Sequence, residues 1–298
     1  MHATKTQKLL GHLAMMLFAV LIAGSFSIGH LAAPHLAPAA LNAIRFLIGC
    51  LIMAAVMFAL LRPLPPPPKS LWRFGILGVL MAVYFISMFM ALKITPPISI
   101  GAVFTLVPIM TAGFGWLLLR QTTNPLVISM LLIGAAGALW LIFKGDVSTL
   151  LAFEIGKGEM IFFVGCVCHA AYAPLVRKFN RGEPVLQFTL YTLMAIGFFI
   201  ALVGIPDMLK TDWAVLPLIV WVAILYLAIF TTAGTFFLLQ FASLRLPASK
   251  VLSYGYLTPV FILILEGMLG HGWASLSIWM GALVTAVALL IMAFAPDS

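Results

Sequence analysis

The sequence predicts an all-α integral membrane protein, with ten transmembrane helices forming two inverted five-helix repeats around a central cavity. Three observations carry that expectation. Apolar residues fill 64% of the 298 positions and charged residues only 8%. Apolar runs of about 20 residues, the length that crosses a bilayer core, recur along the chain. The two halves of the chain also align on one another. Mean hydropathy is +1.18, and a water-soluble globule could not cover so much apolar surface.

The runs fall near residues 9–32, 37–61, 71–92, 97–119, 126–143, 158–176, 185–205, 214–240, 248–268 and 276–294, here called spans 1 to 10. Breaker and polar residues separate them: Ala33-Pro34-His35, the proline tract 63–68, Thr95-Pro96-Pro97, and segments 121–125, 145–158, 181–184, 206–212, 245–247 and 270–274. Most are too short to fold alone, and the proline tract reads as an extended spacer. The first run follows Lys5 and Lys8 and is longer than a signal-peptide core, so it is expected to be retained as a span.

Net charge is +8, and its distribution explains it. Lys5, Lys8, Arg62, Lys69, Arg73, Arg120, Arg177, Lys178, Arg181, Arg245 and Lys250 fall on the side of the N-terminus. Only Lys93, Lys144, Lys157 and Lys210 fall on the other. The positive-inside rule then puts both termini in the cytoplasm of a bacterial inner membrane. No block or stripe of the kind that grips a phosphate backbone is present, so nucleic acid is not an expected partner. Cys50, Cys166 and Cys168 lie inside apolar runs without CxxC or metal-ligand spacing, and read as packing residues.

A shift of 151 residues lays Ala91 on Ala242, Pro96 on Pro247 and Pro108 on Pro259, and a shift of 146 lays Pro38 on Pro184 and Phe26 on Tyr172. The expected units are residues 1–148 and 149–298. Five spans are an odd number, so the second copy must enter the membrane from the opposite side, as in secondary transporters whose site lies between the repeats. Pro108 and Pro259 fall inside spans 4 and 9, where each removes a helix hydrogen bond, and their matched positions suit paired gating kinks or plain packing.

Ala91-Leu92 through Ser99, Gly101, Ala102 and Pro108, the echo at Ala242, Pro247, Ala248 and Pro259, and Arg45 near the start of span 2 together resemble the drug/metabolite transporter superfamily. The likeness is to its EamA-like ten-helix branch, and more loosely to the bacterial aromatic amino acid exporters. It covers nearly the whole chain. Where that family often has a Leu-Gly-Glu-like sequence, this chain has Leu119-Arg120-Gln121 and Leu269-Gly270-His271. The resemblance implies a basket of helices with spans 5 and 10 at the periphery, and solute export.

Several residues inside the spans could carry chemistry. Glu266 is the acidic residue deepest in an apolar run, a candidate for proton coupling or for a substrate ammonium, or else an interfacial anchor. Arg45 could snorkel to the interface or bind a substrate carboxylate. His169 and Tyr172, three apart in span 6, share a helix face and suit a planar solute, unless His169 is a core histidine satisfied by a carbonyl. Tyr84, Met88, Tyr254 and Tyr256 add rings, a hydroxyl or an adaptable thioether, and Thr235 corresponds to Tyr84 under the 151 shift. Helix-to-helix hydrogen bonding is the competing use of the span 8 hydroxyls.

Walker, Rossmann, HExxH, GxSxG and EF-hand patterns are missing from the sequence, so no enzymatic activity, cofactor or metal is expected. The expected partners are a small-molecule solute and membrane lipid, with protons as a candidate coupling ion. The reading is a secondary transporter exporting small amphipathic metabolites, aromatic or other neutral amino acids first, by alternating access. The alternatives are transport of another solute class (sugar, nucleobase or drug-like compound) and a non-transporting membrane scaffold.

Overall fold

The computed structural model describes residues 4–32, 35–92, 94–95, 97–268 and 272–296; the side chains of 26, 27, 29–31, 89, 92, 97–99 and 266 lie outside that description. The described residues form helices and no strand. Nine of the helices are long and apolar enough to cross a membrane, and Trp72–Met88 is a shorter apolar stretch within a helix that runs to Leu92. Helices suit this solvent because each satisfies its own backbone polar groups where no water can.

The ten runs become Lys5–Ala32, Pro38–Leu60, Trp72–Leu92, a broken span 4 of Pro97–Phe104 and Val107–Leu119, Pro125–Ile142, Lys157–Phe179 and Val185–Lys210. Span 8 follows as Leu218–Ala228, a wide π-helical turn Ile229–Gly234 and Thr235–Ser243. Span 9 is Ala248–Ser253, a 3-10 turn Tyr254–Leu257 and Thr258–Met268, and span 10 is Leu276–Phe294. Several prolines in or beside the separators start helices instead of merely ending them. Pro38 and Pro125 sit in first turns, and Pro184, Pro217 and Pro247 occupy N-cap positions, where a missing N–H costs nothing. The proline tract is tied down by Gln187, whose Nε2 donates to Pro66 O at 2.7 Å.

Spans 2 and 7, 4 and 9, and 5 and 10, each equivalent under the repeat, pack on each other, the first and last of these pairs antiparallel. Small residues allow the approach: a Cβ on Gly204 of span 7 would lie 2.7 Å from Ala39 O of span 2, and one on Gly137 of span 5 would lie 2.9 Å from Gly281 O of span 10. Farther along the same pairs Gly197 faces Phe46 and Gly134 faces Ala288, so both pairs run in opposite directions. Span 3 packs on span 6, and span 8 on span 1, which is the same contact with the halves exchanged. Leu47, Leu51, Leu202, Leu283 and Leu290 stay exposed, as side chains facing lipid do.

The matched prolines fall at matched breaks. Thr105 and Leu106 interrupt span 4 just before Pro108, and the 3-10 turn interrupts span 9 just before Pro259. A hydroxyl satisfies the carbonyl released at the first break: Tyr256 O–H donates to Thr105 O at 3.0 Å. These two residues are 151 apart, so they are equivalent under the sequence shift and meet where the two halves cross.

Candidate functional site

Two cavities approach the interior from opposite ends. The first, about 320 Å³, lies at the end carrying both described chain ends, since Lys8 and Pro296 both line it together with Gln121, Asn124, Arg177, Arg245 and Lys250. Two of its cations are held by backbone carbonyls. Lys250 Nζ donates to Ala295 O at 2.6 Å, and Arg245 Nη1 donates to Phe241 O at 2.8 Å while its Cζ lies 3.5 Å from the Phe241 ring centroid. The second cavity, about 180 Å³, is lined by Pro38, Asn42, Phe85, Ile86, Met90, Ile200 and Asp207.

A cluster of rings lies between them in depth. Tyr84 and His169 stand 4.5 Å apart by ring centroids, with Phe104 at 5.7 Å from His169 and Phe162 at 5.9 Å from Tyr84. His169 precedes Arg177 of the first cavity by eight residues, roughly 12 Å along span 6, whereas Tyr84 adjoins Phe85 of the second. Gly165, one turn before His169, lets span 3 approach at Ser87. The His169 ring is 6% exposed and its Nδ1 has no hydrogen-bond partner, so the carbonyl-satisfied core histidine is not what is found.

Tyr172 faces elsewhere. It is fully buried, its hydroxyl accepts from Gln240 Nε2 at 2.8 Å, and Gln240 Oε1 accepts from Thr189 Oγ1 at 2.7 Å. That network joins spans 6, 7 and 8, and Phe236 closes it edge-on. Tyr254 is paired with His12 of span 1, 2.9 Å from hydroxyl to Nδ1. Tyr256 bonds Thr105 as described above, and Thr235 Oγ1 donates back to Thr231 O in its own helix at 2.7 Å. Met88 is half-buried against the main core. The seven residues singled out as a pocket therefore divide among separate surroundings, and only Tyr84 and His169 share a ring contact. The Glu266 side chain lies outside the described residues.

Sequence reasoning missed Phe104, Phe162 and His12, whose only signal was their place in apolar runs. Arg45 does not snorkel. It is 9% exposed and its guanidinium lies over two rings, Phe85 at 4.9 Å and Phe46 at 5.3 Å. Among the described residues no group of three or more His, Cys, Asp or Glu could hold a metal ion.

Apolar helices crossing in antiparallel pairs, broken at symmetric prolines around a buried polar and aromatic interior, define a multi-pass membrane transporter. The chain belongs to the EamA-like transporter family, whose model matches it twice, over residues 9–143 and 156–294. It is 24% identical over 265 residues to the "Uncharacterized transporter YyaM" of Bacillus subtilis (strain 168), covering 87% of this chain and 86% of that protein. A solved crystal structure at 22% identity superposes with a TM-score of 0.78 over 97% of this chain and 96% of the other, a likeness of fold.

Proposed function

We propose that the protein exports small amphipathic metabolites by alternating access, with aromatic or other neutral amino acids as the leading substrates. The observation that carries this reading is the Tyr84–His169–Phe104 cluster, set between cavities that open toward opposite ends. Flat rings and an unpartnered imidazole nitrogen suit a planar solute with a polar group. Residues 1–148 and 149–298 serve as the two inverted repeats, and the breaks at Pro108 and Pro259 as the places where they flex. Antiparallel packing of equivalent spans supports that division. Tyr172, Tyr254 and Tyr256 hold helices in register through hydrogen bonds between spans, Met88 packs against the core, and Thr235 bonds within its own helix.

The test is uptake of a panel of labelled amino acids, sugars and nucleobases into proteoliposomes, with and without a pH gradient. Saturable flux of aromatic amino acids supports the reading; flux confined to another class replaces the substrate, and no flux at all favours a scaffold. A zwitterion carries no net charge, so the membrane potential does not drive its exit. Export must then follow a concentration gradient or exchange with protons, and Glu266, the acidic residue deepest in an apolar run, is the proposed exchanging group. Glu266→Gln should abolish the response to an imposed pH gradient and leave passive exchange. A mutant that responds as the wild type does removes Glu266 from the coupling.

Orientation gives a second expected result. The basic asymmetry supports an orientation with both termini cytoplasmic, in what we read as a bacterial inner membrane. Reporter fusions at Met1 and Ser298 should score cytoplasmic and one near Gly156 periplasmic; termini on opposite sides would overturn the topology.

A further inference from the structure

Arg45 is a buried cation that the fold leaves uncompensated. Among the described residues it has neither a carboxylate nor a hydrogen-bond partner, and its Nε is enclosed without one. Its contacts are the faces of Phe85 and Phe46. Two rings replace only a fraction of what a guanidinium loses when water is stripped from it. An ionisable group held this way inside a membrane protein is costly and normally serves a function.

Its surroundings say which function. Phe85, under the guanidinium, is also a wall of the second cavity, and Phe85 meets Tyr84 edge-on at 5.1 Å between centroids. Asn42, three residues before Arg45 and on the same face of span 2, lines that cavity too. Its Nδ2 donates to Pro38 O at 2.7 Å, and its Oδ1 has no partner. Cavity, guanidinium and ring cluster are thus contiguous through one phenylalanine. Arg45 lies about 10 Å deeper along span 2 than Pro38, which also lines that cavity.

We infer that Arg45 binds the carboxylate of the transported solute while the solute's apolar or aromatic body rests on the Tyr84–His169 rings. The body's placement rests on the reading of those rings as the transport site. A guanidinium presents a planar fork that matches a carboxylate with two parallel hydrogen bonds. The binding class is a single carboxylate, zwitterions included. One cation balances one negative charge, and Asp207, which lines the same cavity without pairing to Arg45, disfavours a dianion such as phosphate.

The test uses the full chain in detergent, with 3-phenylpropionate, phenethylamine and L-phenylalanine as probes and thermal melting as the readout. The two carboxylates should raise the wild-type melting temperature and phenethylamine should not. Arg45→Gln should weaken the carboxylate response by roughly tenfold or more. Its ligand-free melting temperature should equal or exceed that of wild type, since an uncompensated charge has been removed; a merely structural arginine would lower it. Arg45→Lys, which keeps the charge without the fork, should bind carboxylates more weakly than wild type, and it decides the matter if Arg45→Gln does not fold. The inference is overturned if neither carboxylate shifts wild type, if phenethylamine alone does, or if the Arg45 variants respond like wild type. If Arg45-dependent binding of 3-phenylpropionate is found but no labelled amino acid is transported, the carboxylate site stands and the substrate reading falls.

Discussion

Replacing Arg73 by alanine should cost the folded protein about 3–5 kcal/mol, the range for breaking a buried ion pair from one side. Arg73 is 2% exposed although it stands in the first turn of span 3. Its Nη2 meets Glu183 Oε1 at 2.5 Å, its Nη1 donates to Phe179 O, and its Nε donates to Ser70 O at 3.1 Å. The guanidinium thereby clamps the end of span 6 and the turn into span 7 against span 3. Alanine would strand three acceptors at once, one of them charged. Glu183→Gln removes a charge but keeps an acceptor, and Glu183 is 13% exposed, so about 1–2 kcal/mol is expected. Partial burial pushes the Glu183 carboxyl up, but the bonds from Arg73 and from the Arg181 N–H outweigh it and hold the group below its ordinary value. A folded-state pKa below the unfolded one means that this stabilisation is present above the usual carboxylate range. It is lost as pH falls through the folded value. Melting of wild type and Glu183→Gln in detergent should therefore differ at pH 7 and converge in acid. An Arg73→Ala protein within about 1 kcal/mol of wild type would show that the clamp is dispensable.

Arg73 also marks the boundary of what the sequence can say. At a span end it reads as one more orientation charge, because the carboxylate that makes it structural lies 110 residues away in the sequence, in the loop after span 6. The spans themselves were legible, since a bilayer demands runs of one composition and one length. The breaks at Pro108 and Pro259 were legible too, since proline removes a specific hydrogen bond. Depth and rotation were not. Arg45 could snorkel or point inward on sequence grounds, and only its stacking on Phe85 across to span 3 decides. Thr235 was paired with Tyr84 by symmetry, yet a threonine in a helix can satisfy itself on the preceding turn, and this one does. His169 and Tyr172 share a face by spacing. Three residues still leave the side chains about 60° apart around the helix, enough for one ring to meet span 3 and the other spans 7 and 8.

That divergence makes His169 and Tyr172 separable by experiment. Tyr172→Ala should destabilise the protein by about 3–5 kcal/mol. It empties a fully buried volume beside Phe236 and leaves the Gln240 amide, already committed to Thr189, with an unused donor. Tyr172→Phe keeps the volume and strands only that donor, at about 1–3 kcal/mol. Transport by either variant should fall in proportion to the folded fraction. His169→Ala is different. No hydrogen bond is broken at Nδ1, and what is lost is a ring facing Tyr84 and Phe104. Flux of L-phenylalanine per folded molecule should drop about tenfold or more, the factor that ~1.4 kcal/mol represents, with melting changed far less than in Tyr172→Ala. His169→Phe restores a ring without the nitrogen, so flux that stays low in that variant assigns the role to the imidazole, and flux that recovers assigns it to stacking. Flux measured in proteoliposomes and melting measured in detergent decide the matter together. Wild-type flux from His169→Ala, or flux losses that track melting in every variant, would return His169 to the core and move the transport site away from the ring cluster.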